Sequence, residues 1–201
     1  MQPVLKSLRY ILLVGAGQLG SRYLQGLAGV NHQLSITVVD SSLSSLDLAR
    51  QRLDEVSPAT SHEVQFTTSL DEAPKQLDLA FVVTPAHCRA AVVAAITARH
   101  EVSDWILEKV LAQSAQQVEQ IERCLKGQSQ VWVNTPRRLM TWHQAIKERL
   151  FAGGPSALRV RMSGGHWGLA CNAIHFIDLV SWLSGADVEG VDGRGLEDWQ
   201  P

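Results

Sequence analysis

Tyr10-Ile11-Leu12-Leu13-Val14-Gly15-Ala16-Gly17-Gln18-Leu19-Gly20 is an apolar run that breaks into glycines spaced G-x-G-x-x-G and continues as Ser21-Arg22-Tyr23-Leu24-Gln25-Gly26-Leu27. The pattern predicts a strand, a tight turn and a helix start. Gly15 permits the turn, Gly17 lets backbone amides approach a pyrophosphate, and Gly20 lets the helix pack close to the strand. Gln18 and Leu19 stand at the helix N-terminus, whose amides carry partial positive charge toward a phosphate. A β-branched run, Ile36-Thr37-Val38-Val39, ends in Asp40, twenty residues after Gly20. That is the distance at which an acidic residue meets an adenosine ribose. A carboxylate there binds both ribose hydroxyls and repels a 2′-phosphate, and the following Ser41-Ser42 bring no arginine to compensate. NAD is therefore expected in preference to NADP, with Ser41 beside Asp40 at the ribose.

The same rhythm continues outward. Ser41 to Leu53 reads as a helix, Val64 to Thr67 as a short strand, Leu70 to Leu77 as a Pro-interrupted helical piece, and Leu77 to Val83 as a strong strand closed by Thr84-Pro85. Ala86 to His100 has helical spacing, Trp105-Ile106-Leu107 is a strand, Ser114 to Leu125 a helix, and Val131-Trp132-Val133 the next strand. Six Val-, Ile- and Leu-rich strands alternating with helices over residues 8 to 134 argue for an α/β domain with a parallel sheet covered on both faces. The rhythm breaks at Asn134 to Arg138, so the domains are expected at 1–134 and 135–201. Beyond the break, Leu139 to Phe151 reads as a helix, Ala157 to Met162 alternates like a half-buried strand, Ser163 to Gly168 is a glycine-rich loop, and residues 170 to 184 form a helix. The tail from Gly185 to Pro201 shows no period.

Charge and composition remove several classes of function. Eighteen Lys and Arg against 20 Asp and Glu give a net charge of −2 without a basic block, which disfavours nucleic acid and membrane surfaces as partners. No apolar run reaches the roughly 18 residues needed to cross a bilayer, and the N-terminus lacks the signs of a signal peptide. Cys88, Cys124 and Cys171 are odd in number and widely spaced, fitting neither a disulfide framework nor a metal site. A soluble cytoplasmic protein without a metal is the expectation.

The 170–184 helix is apolar nearly all round, with Asn172, His175 and Asp178 at i, i+3 and i+6 and Cys171 one turn before His175. Such a stripe is the wet face of a buried helix, or it carries chemistry. A histidine can exchange a proton with a substrate hydroxyl, and Asp178 one turn on can orient the ring.

These landmarks together resemble the Gfo/Idh/MocA oxidoreductases, the group of glucose-fructose oxidoreductase and inositol dehydrogenase. The resemblance rests on Gly15 to Gly20, Val83-Thr84-Pro85, Glu108-Lys109, and His175-Phe176-Ile177-Asp178-Leu179 with Trp182-Leu183-x-Gly185. It implies an N-terminal Rossmann domain, a doubly wound parallel sheet, followed by an α+β domain whose open sheet floors the substrate site. The implied chemistry is hydride transfer between a nicotinamide and a sugar, nucleotide-sugar or polyol carbon, with Lys109 and His175 as the catalytic pair. Thr84, Pro85 and Glu108 are expected to line the cofactor, and Asn134, Arg137, His166, Trp167 and Asn172 the substrate crevice; His87 and Arg89, which follow Thr84-Pro85 where the next helix begins, are cofactor-lining candidates by position alone, since the family's histidine comes farther after the proline. Two departures stand out: Val110 replaces the proline of the family's Glu-Lys-Pro segment, and Cys171 replaces an aspartate that family members commonly carry four residues before the histidine. The run from Gly165 to His175 looks like a branch found among surface-polysaccharide biosynthesis proteins.

Family members usually exceed 300 residues, so a partial second domain is expected here, and a homo-oligomer stays open. Two other readings compete: a dinucleotide-binding regulatory or assembly protein impaired in turnover, and a methyltransferase, whose adenosyl cofactor also presents a ribose.

Overall fold

The computed structural model describes residues 8–57, 61–128, 130–152, 154, 157–165 and 168–194. The chain divides into two compact units, Met1–Asn134 and Thr135–Pro201.

In the first unit β1 (Arg9–Val14), α1 (Gln18–Ala28), β2 (Leu34–Val39), α2 (Leu43–Val56), β3 (Glu63–Thr67), β4 (Gln76–Val82), α3 (Ala86–Thr97), β5 (Glu101–Glu108), α4 (Ala115–Leu125) and β6 (Gln130–Asn134) follow in order. Every strand pair is parallel and the sheet order is β3-β2-β1-β4-β5-β6, that of a Rossmann fold. The period of two along β1 shows why the fold forms. Ile11 and Leu13 face one core with Leu24, Ile36, Val38, Leu46 and Phe81, while Leu12 and Val14 face another with Ala80, Val82, Val93, Trp105 and Ile121. A strand buried on both faces reads in sequence as an unbroken apolar run. Because β1 lies between β2 and β4, successive connections depart in opposite directions from it, and a crevice opens at the carboxyl ends of β1 and β4. Asp40, Thr84, Glu108 and Asn134 all lie at or just past strand ends on that edge.

Element bounds differ modestly from expectation. The piece before β4 shortens to a 3-10 turn at Leu70–Glu72, and β5 begins at Glu101, four residues before Trp105.

The second unit holds a 3-10 turn at Pro136–Leu139, α5 (Thr141–Phe151) and α6 (Leu169–Ser184). Asp178 receives both Nε (3.1 Å) and Nη2 of Arg138, which ties α6 to the 3-10 turn. Lys147 Nζ donates to the Trp182 carbonyl at 2.5 Å and lies over the Trp182 ring. On α5 the apolar side chains of Trp142, Ile146 and Leu150 are exposed, and the buried residue is His143, bonded to the Arg137 carbonyl at 2.7 Å. Residues 157–162 are not a strand. Alternation supplies a face but not a partner, and among the described residues no neighbouring strand pairs with this segment. Val160 and Met162 instead line a groove of about 650 Å³ with Phe176, Ile177 and Val180 of α6. Among the described residues no helix is long and apolar enough to cross a membrane.

Candidate functional site

The glycine turn leaves β1 with Gly15 at φ +100°, where a side chain would stand 2.9 Å from the Val83 carbonyl carbon. A Cβ on Gly20 would lie 1.7 Å from the Gly15 carbonyl oxygen. These two glycines are required by the protein's own packing. Gly17 is different, since a Cβ there would meet nothing within 4 Å. The space beside Gly17 adjoins the first turn of α1, which no side chain caps. Unpaired amides beside an open approach suit an anion such as a pyrophosphate.

Asp40 follows β2 and reaches back to this turn. Its Oδ2 accepts from the Ala16 amide at 2.7 Å and its Oδ1 from the Ser42 amide at 2.8 Å. The carboxylate thus braces the glycine turn and the start of α2 together, and each oxygen keeps a lone pair for a ribose hydroxyl. Ser41 is exposed, whereas Ser42 caps α2 by accepting from the Ser45 amide. Leu19 is exposed, and Gln18 is held by Arg52, which donates to its carbonyl (2.9 Å) and its Oε1 (2.5 Å).

Across the crevice, Thr84 and Pro85 follow β4. The Thr84 Oγ1 is buried with no hydrogen-bond partner among the described residues, and a buried orphan hydroxyl beside an open phosphate cradle fits a polar ligand. His87 is exposed at the start of α3, its carbonyl accepting from Gln117. At the end of β5, Glu108 is buried. Its Oε1 accepts from Tyr23 Oη of α1 and from Asn134 Nδ2 of β6 (2.7 Å), and its Oε2 accepts from the Lys109 amide at 3.1 Å. Asn134 also donates to Tyr23. Burial pushes the Tyr23 hydroxyl well above the ordinary tyrosine range, and donation to Glu108 adds to it. Lys109 is half-buried and its peptide bond to Val110 is cis. Glu108 and Asn134, expected to face cofactor and substrate, therefore meet each other and Tyr23.

Sequence reasoning gave Tyr23 no role and offered Arg89 as a cofactor-lining candidate, without the backbone contacts it makes. Arg89 is 2% exposed, its Nη1 donating to the carbonyls of Val110 and Leu111 and its Nη2 to that of Thr84. Burial lowers its pKa and the nearby Glu108 charge opposes that shift. A lone arginine on the buried side of α3, in line with Ala90, Val93 and Ile96, was the available signal.

The remaining candidates belong to the second unit. Arg137 lies over the Phe176 ring at 4.3 Å. Asn172 and His175 are half-buried on α6, and Cys171 beside them is exposed. Asp178 serves the Arg138 pairing. His166 and Trp167 lie outside the described residues.

Residues 9–135 match the model of the Gfo/Idh/MocA family, described as an oxidoreductase family with an NAD-binding Rossmann fold. No curated protein matches the chain. Among solved structures, the chain is similar to a myo-inositol 2-dehydrogenase from Lactobacillus plantarum, with 16% identity and a TM-score of 0.66 over 89% of this chain and 57% of that one. A myo-inositol dehydrogenase from Lactobacillus casei, solved with NAD(H) and myo-inositol, matches at 19% identity and TM-score 0.66 over 96% of this chain and 62% of that one. The WlbA dehydrogenase from Chromobacterium violaceum, solved with NADH and UDP-GlcNAcA, matches at 15% identity and TM-score 0.62 over 89% and 55%. The chain thus spans little more than half the length of these structures, and likenesses at such identity show a common fold.

Proposed function

The chain belongs to the Gfo/Idh/MocA oxidoreductase family, and from that membership we propose that it binds NAD at the carboxyl edge of the sheet and oxidises or reduces a sugar, nucleotide-sugar or polyol carbon. The observation that carries the reading is the pairing of an open approach at Gly17 with Asp40, whose carboxylate holds the Ala16 amide at 2.7 Å. The Gly17 turn and the first-turn amides of α1 would hold a pyrophosphate, and the remaining lone pairs of Asp40 would accept from the ribose hydroxyls.

A nicotinamide supplies the hydride acceptor or donor when bound. Lys109, leaving the end of β5, places a cation toward the substrate oxygen, where negative charge grows as the hydroxyl proton leaves in oxidation or as hydride reaches the carbonyl carbon in reduction. His175 takes the proton released from the hydroxyl, or returns it in the reverse direction. Cys171, standing where relatives commonly carry an aspartate, offers no carboxylate to the histidine, so the proton passes without that partner.

A panel of inositols, hexoses and UDP-sugars, assayed for NADH formation with NAD, tests the proposal. Turnover that falls by at least about a hundredfold in both His175→Ala and Lys109→Met is expected. Turnover unchanged in both variants would remove the catalytic assignment. Tight NADH binding with no turnover on any member of the panel would leave a dinucleotide-binding protein without the reaction.

A further inference from the structure

The tie between β4 and β5 does not stop where the ladder stops. Their register ends at Val82↔Leu107, yet the segments beyond it are still joined, through one side chain. Arg89 donates to the carbonyl of Thr84 on the β4 side and to those of Val110 and Leu111 (3.0 Å) on the β5 side. A guanidinium offers five donors in a rigid planar fork, so one residue can hold several carbonyls on two loops, which an ammonium on a flexible stem cannot do with the same geometry. A buried cation must be compensated. Here the compensation is the ring of carbonyls, with the charge of buried Glu108 nearby. Glu108 in turn grips the Lys109 amide at 3.1 Å. Lys109 is therefore bracketed, its own amide held by Glu108 and the next two carbonyls held by Arg89.

We propose that Arg89 is a positioning residue: by clamping the backbone on either side of the β4–β5 gap it fixes the direction in which Lys109 leaves the sheet, and hence where its ammonium stands relative to a bound dinucleotide. The inference rests on the reading of Lys109 given above. A role in stability alone would require only that the charge be satisfied somewhere. The observed donors fall instead on the two segments that border the crevice, one carrying Thr84 and one following Lys109.

The test uses the full chain and reads Lys109 directly. Lys109 is labelled with an amine-acylating reagent with and without NADH and quantified by peptide mass spectrometry, and ADP-ribose, which lacks the nicotinamide, is titrated in parallel. In the unaltered protein NADH should slow labelling of Lys109 about tenfold or more. In Arg89→Leu that protection should be lost, while ADP-ribose still binds within about threefold, and amide exchange over residues 109–112 should rise about tenfold, the scale of one charge-assisted hydrogen bond. Arg89→Lys keeps the charge without the fork and should lose most of the protection too; it decides the matter if Arg89→Leu does not fold. Protection at the unaltered level in either folded variant overturns the proposal. Failure of the unaltered protein to bind NADH or ADP-ribose overturns the dinucleotide reading beneath it. Binding of both with Lys109 unprotected overturns the role of Lys109, and this inference with it, while leaving the cofactor site standing.

Discussion

Two glycines three residues apart answer to different demands. Gly20→Ala would drive a methyl to 1.7 Å from the Gly15 carbonyl, so a loss of at least about 3 kcal/mol is expected from the backbone shift it forces. Gly17→Ala meets open space and should change stability by less than about 1 kcal/mol, as for other changes at a helix N-cap. It should nevertheless weaken NADH binding by about tenfold if the phosphates approach there. Urea midpoints and an NADH titration on both variants separate the two demands, and an unchanged NADH affinity in Gly17→Ala would move the phosphates elsewhere. Asp40 adds a second prediction. NADH should bind about tenfold or more tightly than NADPH, and Asp40→Ser should narrow that gap while loosening the Ala16 amide it holds. Calorimetry with both dinucleotides checks it, and equal affinity in the unaltered protein would contradict the selectivity assigned to the carboxylate. The glycine spacing and the acid after β2 were legible because each is a local pattern. The bond between Asp40 and Ala16 was not, because it joins positions twenty-four residues apart and nothing in either segment alone announces it.

Between elements, the Tyr23–Glu108–Asn134 cluster links α1, β5 and β6 beneath the crevice. Its energetic signature lies at alkaline pH. Burial, then donation to Glu108, raises the folded pKa of Tyr23 above that of an unfolded tyrosine, with Asn134 and Arg89 pulling the other way. A raised pKa means that the folded protein keeps the proton more tightly, so this contribution is fully present below about pH 10 and drains away as pH climbs above it. The unaltered protein should lose up to about 1.4 kcal/mol per pH unit in that window through this one group. Tyr23→Phe should start about 1–2 kcal/mol less stable near neutrality, because Glu108 loses a donor, and should then lose less with rising pH. Urea unfolding at neutral and alkaline pH compares the slopes; parallel slopes would take Tyr23 out of the account. The six strands of the sheet were readable because parallel strands buried on both faces leave continuous apolar runs, as Ile11 to Val14 and Ala80 to Val82 do. The segment 157–162 was misread for a complementary reason. Alternation marks a face that could be buried, whereas a strand exists only where another backbone pairs with it.

At the scale of the molecule, the two apolar clusters that cover the sheet are built, among the described residues, from residues 11 to 125. The buried residues of α6, Leu179 and Leu183, belong to neither cluster. The narrow polar stripe of Asn172, His175 and Asp178 made α6 conspicuous in the sequence, but the broad apolar remainder did not say which part of it is covered, since so wide an apolar surface gives little directional signal. The consequence for folding is specific. The fragment Met1–Asn134 should unfold in a single cooperative transition, because its sheet is covered on both faces and its glycine turn, Asp40, Arg89 and Glu108 are all present. If the dinucleotide site is as assigned, the fragment should also bind ADP-ribose within about threefold of the full chain, and saturation at about a hundred times Kd should stabilise both by about 2.7 kcal/mol. Turnover on the sugar panel, which on this reading needs His175 from the second unit, should vanish in the fragment. Urea unfolding with and without ADP-ribose, run on fragment and chain side by side, measures both properties. A fragment that folds but gains no stability from ADP-ribose would show that residues beyond Asn134 complete the cofactor site, and the division of labour between cofactor binding in one unit and proton transfer from the other would have to be abandoned.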